Sequence, residues 1–170
     1  MQDQLSMSTR IEIAQTAGCV GDGSGSRPTP AAKIHMDIVC GSIHFTRVFQ
    51  QSFCPSIAAA RASAEGQMRS WAYQMAETAR VGGFTFDQAR LEAIGESRAT
   101  AEVLVSSSHP DFPPLNIRFT GPVDIDGVYL GASQRLNRMF RLICERLDAD
   151  VQPSPMQMFS SPYQTLAAAE

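Results

Sequence analysis

The sequence predicts a single α+β domain: an antiparallel sheet of about five strands, with one long helix over residues 55–80 across one face and a second helix over 133–148. Three observations carry this expectation. Residues 33–50 alternate apolar and polar side chains about a Gly-Ser dipeptide, residues 55–80 and 133–147 repeat apolar residues at helical spacing, and short β-type runs broken by proline and glycine fill the space between. The chain has 170 residues, enough for one domain that buries roughly two-thirds of its unfolded surface. The domain is expected over 1–150 and a Pro-rich, mobile tail over 151–170.

Taken in order, Thr9 to Gln15 sets Ile11 and Ile13 on one side, the pattern of a short strand. GCVGDGSGSRPTP then occupies 18–30, and residues 18–32 read as a flexible Gly/Ser/Pro loop because glycine and serine add no core side chains and proline removes backbone donors. From Lys33 onward Ile34, Met36, Ile38 and Cys40 alternate with His35, Asp37 and Val39 up to Gly41-Ser42, a dipeptide suited to a type II′ hairpin turn. Ile43, Phe45 and Phe49 continue the apolar face, interrupted by Arg47.

Pro55 suits a helix start and Gly82-Gly83 a helix end. Between them Ile57, Ala60, Ala64, Met68, Trp71, Met75 and Ala79 fall within a sector about 80° wide, the stripe of a core-facing helix. Gly66 inside it is expected to mark close approach to the sheet. Residues 84–95 fit a strand or a single helical turn, whereas Ala99–Ser107 and Leu115–Thr120 read as strands separated by the loop HPDFPP. Asp126-Gly127 signals a turn between two short strands at 123–125 and 128–130. Ser133 is the expected N-cap of the last helix, whose apolar stripe is Leu136, Met139, Phe140, Ile143 and Leu147. No internal repeat of 20 to 50 residues is visible, which excludes solenoids and propellers.

Composition excludes more than it selects. Hydrophobic residues make up 44% and charged residues 18%, and the net charge of −3 supplies no overall field for a phosphate backbone. The 14 basic residues include Lys33 as the only lysine, an arginine bias that reads as bacterial codon usage. Cys19, Cys40, Cys54 and Cys144 form no CxxC pair, no signal peptide precedes them and no run of apolar residues spans a membrane, so the expected location is the cytoplasm with reduced thiols.

No motif with fixed catalytic geometry is present, whether a nucleophile elbow, a phosphate-cradling loop or a zinc-protease helix. The hairpin pairs Asp37 with Thr46 and Val39 with His44, so His35, Asp37, His44 and Thr46 share one face; roughly 10 Å of strand separates the two histidines, too far to ligate one zinc ion. Asp124-Ile125-Asp126-Gly127 opens like a calcium loop, but Arg135 stands at the twelfth position where a glutamate is needed. Cys54, just before Pro55, is placed for activation by a helix dipole but has no placeable base beside it. No cofactor or metal is therefore expected.

Two features point to binding. Arg135, Arg138, Arg141 and Arg146 of the last helix, with Arg118 and Arg90 as neighbours from the sheet, offer guanidinium forks to acidic groups. The tail carries Met156, Met158, Phe159 and Tyr163 as anchor-like side chains. The leading expectation is a non-enzymatic protein-binding or assembly subunit that recognises another protein or its own copies. The alternatives are a nucleic-acid-associated accessory factor using the arginine-bearing helix, and a small-ligand domain or enzyme with its pocket between sheet and long helix near Trp71 and Tyr73.

Overall fold

A computed structural model describes residues 4–17, 28–109, 112–122 and 124–150, and over these the chain lays down three strands and a helix twice. The first half comprises β1 (Leu5–Ala17), β2 (Pro28–Cys40), β3 (Ile43–Gln51) and α1 (Ile57–Arg80); the second comprises β4 (Phe84–Ala93), β5 (Arg98–Ser107), β6 (Leu115–Pro122) and α2 (Ile125–Ala149). Each strand triplet forms its own antiparallel sheet, ordered β1-β2-β3 and β4-β5-β6. The α+β class stands, with six strands in two sheets where the pattern suggested about five in one.

The two helices follow one burial template. At a spacing of 68 residues Ala60, Ala64, Met68, Trp71, Ala72, Met75 and Ala79 of α1 map onto Val128, Ala132, Leu136, Met139, Phe140, Ile143 and Leu147 of α2, and every one of them is buried. The caps obey the same spacing. Ser56 accepts the N–H of Ala59, and Asp124 accepts that of Gly127, each filling an orphan donor of the first turn. This repeat is not legible in the sequence because its length exceeds the periods of solenoid repeats and only Ala64 and Ala132 are identical among the matched core positions.

Three boundaries differ from expectation for local reasons. The turn at Asp126-Gly127 is the first turn of α2, which starts at Ile125 rather than near Ser133; Asp124 caps it at 2.6 Å, and burial of Val128 and Ala132 holds the segment helical. Residues 28–32 belong to β2 rather than to a loop. Pro28 and Pro30 are accommodated there because β3 stops at Gln51 opposite Ala32, so this stretch of β2 pairs with β1 alone and needs no second set of donors. In α1 Ile57 is 43% exposed, Ala72 takes a place on the buried face, and Gly66 is exposed with open space where a Cβ would stand, so it marks no close approach.

The rest follows the periodicity. Residues 84–93 form a strand with a register shift between Asp87 and Arg90, and Gly41 adopts φ 60°, the left-handed value that the hairpin turn asks of its first central residue. Both sheets turn Ile34, Met36, Ile38, Val103, Val105 and Ile117 toward the helices. At the centre Trp71 meets Phe45, Phe49 and Phe140 edge-on with centroids 5.7–6.0 Å apart, and Phe140 stacks on Phe84 at 5.9 Å. Aromatic groups of both halves thus share one core.

Candidate functional site

Where the two halves meet, the Gly41-Ser42 turn of the first sheet abuts β6 of the second. The Ser42 hydroxyl accepts the N–H of Arg118 at 3.0 Å and donates to its carbonyl at 2.5 Å, satisfying both backbone groups that point away from β5. Beside this contact opens a cleft of about 390 Å³ floored by Ile43 and Ile117. Its walls carry four arginines: Arg98 at the start of β5, Arg118 on β6, and Arg135 and Arg138 on α2, with the hydroxyls of Ser42 and Thr120 between them.

Each arginine is placed by a different element. Register pairs Arg98 with Pro122 and Arg118 with Glu102, on the sheet face opposite Val103 and Ile117. Arg135 is half-buried, its guanidinium 4.6 Å above the Phe119 ring in a cation–π arrangement. That ring lies close to α2 because residue 131 is glycine; a Cβ there would stand 2.9 Å from Phe119 Cε2. Arg98, Arg118 and Arg138 are exposed and make no ion pair with any described residue. Like charges gathered around one small volume repel each other, and an anion entering it relieves that repulsion.

The cleft therefore brings together Arg135, Arg138 and Arg118 of the expected basic set and adds Arg98. Arg141 is engaged with Glu145 at 3.6 Å, Arg146 lies about 16 Å along the helix from Arg135, and Arg90 sits on β4, one strand beyond β5. Arg98 carried no sequence signal, since its position depends on how β5 and β6 pair. Met156, Met158, Phe159 and Tyr163 lie outside the described residues.

The equivalent place in the first half is chemically different. Gln67 and Ser70 stand where α2 has Arg135 and Arg138, and they line a groove of about 380 Å³ beside Trp71 and Arg47. Trp71 itself is buried. Tyr73 points instead to α2, its hydroxyl donating to Asp148 Oδ1 at 2.5 Å, which pushes the phenol's pKa up. Beside Trp71 the expected pocket takes the form of this open groove, and a separate cleft of about 420 Å³ lies between Ile11 and Ile34 of the first sheet and Met68 and Arg69 of α1.

On the outer face of the first sheet, Asp37 Oδ1 lies 2.9 Å from His44 Nε2 and accepts the Thr46 hydroxyl at 2.9 Å, the pairing the hairpin predicts. These contacts hold the Asp37 carboxyl below the usual range, the histidine contact most strongly. His35 is set apart, opposite Val48 and 3.2 Å from Glu12. The Asp37–His44 pair is exposed, whereas the His35 Nε2 atom that faces Glu12 is buried. Among the described residues no three His, Cys, Asp or Glu side chains gather as metal ligands, and the Asp124 carboxylate serves as a helix cap. The Cys54 thiol donates to the Ser52 carbonyl at 3.7 Å.

No helix among the described residues is long and apolar enough to cross a membrane. Comparison of the chain with protein-family models, with curated proteins and with solved structures finds no match.

Proposed function

We propose that this chain is a non-enzymatic binding subunit whose arginine cleft takes an acidic segment of a partner protein. The observation that carries the reading is the convergence of Arg98, Arg118, Arg135 and Arg138 on one cleft, three of them without an ion pair among the described residues. Planar guanidinium forks hold carboxylates bidentately, and the size of the cleft suits one or two side chains rather than a long polymer. A nucleic-acid track would need basic charge continuing along the surface. Here Glu102 lies between Arg90 and Arg118 across the sheet, and Glu145 engages Arg141 on the helix. A bacterial cytoplasmic setting is part of this proposal; among the described residues Cys40, Cys54 and Cys144 form no disulfide.

The test is fluorescence anisotropy of a labelled oligoglutamate peptide against the full-length protein. Reversing Arg118 and Arg138 together (R118E/R138E) is expected to weaken binding at least tenfold, with added salt weakening the wild-type complex as well. Reversing Arg141 and Arg146 should change it less than twofold. Equal losses from both double variants would reduce the effect to net charge and sink the cleft; tighter capture of inorganic phosphate than of the peptide would replace the acidic segment by a small anion.

A further inference from the structure

β1 is the outermost strand of the first sheet. It runs 13 residues with neither proline nor glycine, in unbroken register with β2, and no described strand lies on its other edge. Such an edge displays a row of unpaired backbone donors and acceptors and recruits another strand unless something interrupts it. β4, the outermost strand of the second sheet, is interrupted by its register shift between Asp87 and Arg90. β1 has no such break.

We propose that β1 pairs antiparallel with β1 of a second copy of this chain, about a two-fold axis through Ile11, so that two three-stranded sheets join into one of six strands. The register is set by charge. Keeping the helices of both copies on the same side of the joined sheet requires the axis to pass through a residue rather than between two. Through Arg10 or Glu12 it would oppose like charges; through Thr9 or Ile13 it would set neither against an opposite charge of the other copy, leaving them with their ion pair within the chain at 3.0 Å. Through Ile11, the midpoint of Leu5–Ala17, all 13 residues overlap and each Arg10 stands opposite Glu12 of the other copy. The same register sets Ile11 against its copy and brings Thr9 of the second copy beside Ile13, which is 46% exposed in the single chain.

Sedimentation equilibrium of the full-length protein tests this. The wild type is expected to dimerise. Arg10→Glu, at a side chain 71% exposed, opposes glutamates twice and raises the dissociation constant about tenfold or more. The double exchange R10E/E12R restores complementarity and should recover the wild-type value within about threefold. Circular dichroism verifies the fold of each variant, and Glu12→Arg, which opposes arginines, carries the same test if Arg10→Glu does not fold. A wild type that stays monomeric, a dimer indifferent to Arg10→Glu, or a loss that the double exchange does not repair would each overturn the proposal.

Discussion

In α1, Gln67 and Ser70 hold the places that Arg135 and Arg138 hold in α2, while every buried position of the first helix finds a buried counterpart in the second. The inner positions answer to one demand, a helix face covering a three-stranded sheet, and both halves meet it with similar apolar residues. Nothing in that packing demands arginine on the outside. Under the proposed function, the charge gathered at one of two equivalent places puts the binding site on one half only, with Arg135 also packed on the Phe119 ring. The core differs in a complementary way: bulk sits at Trp71 before the small Ala72 in α1, and at Phe140 after Met139 in α2, so the rings interlock 6.0 Å apart instead of colliding.

The largest expected effect comes from that junction. Phe140→Ala removes a ring that touches Trp71 and Phe84 and should destabilise the protein by about 3–5 kcal/mol in urea unfolding. If the halves share one core, near-ultraviolet and far-ultraviolet signals continue to report a single transition. Two separated transitions would show that the halves fold as independent units.

A smaller effect tests the equivalence of the helices. Gly66 and Gln134 are both exposed and 68 residues apart, so Gly66→Ala should stabilise α1, and Gln134→Gly destabilise α2, each by about 1 kcal/mol or slightly less. Thermal melts of the two variants should shift in opposite directions. A stabilising glycine at 134 would mean that α2 carries strain that α1 lacks.

The smallest effect concerns the outer face of the first sheet. Asp37 is held below its ordinary pKa by His44 and Thr46. Its contribution is therefore present above the unfolded value near 3.9 and disappears as pH falls through the lowered folded value. Asp37→Asn should be slightly less stable than wild type near neutrality, with the difference closing in acid; a gap that persists to low pH would assign the role to hydrogen bonding without charge.

Local spacing made much of this legible. The Gly41-Ser42 hairpin pairs as its alternation requires, down to Asp37 opposite Thr46, and the apolar stripe of α2 is buried as its heptad-like spacing implies. Asp126-Gly127 misled because a dipeptide favours a turn wherever it stands, and only burial of Val128 and Ala132 shows that this turn opens a helix. Pro28 and Pro30 misled in the opposite sense, since proline opposes a strand only where both edges must pair.

By itself the sequence determined the class of fold, the inward faces of both helices and the first hairpin, because each of these depends on residues within a few positions of one another. Only the tertiary structure decided that the chain repeats its plan, and which arginines meet. Arg98 and Arg118 reach Arg135 and Arg138 through the pairing of β5 with β6, the Ser42 hydroxyl on the backbone of Arg118, and a glycine at 131 that lets Phe119 approach α2. These are contacts between residues far apart in the chain, and their geometry is set by what packs beneath them rather than by their neighbours in sequence.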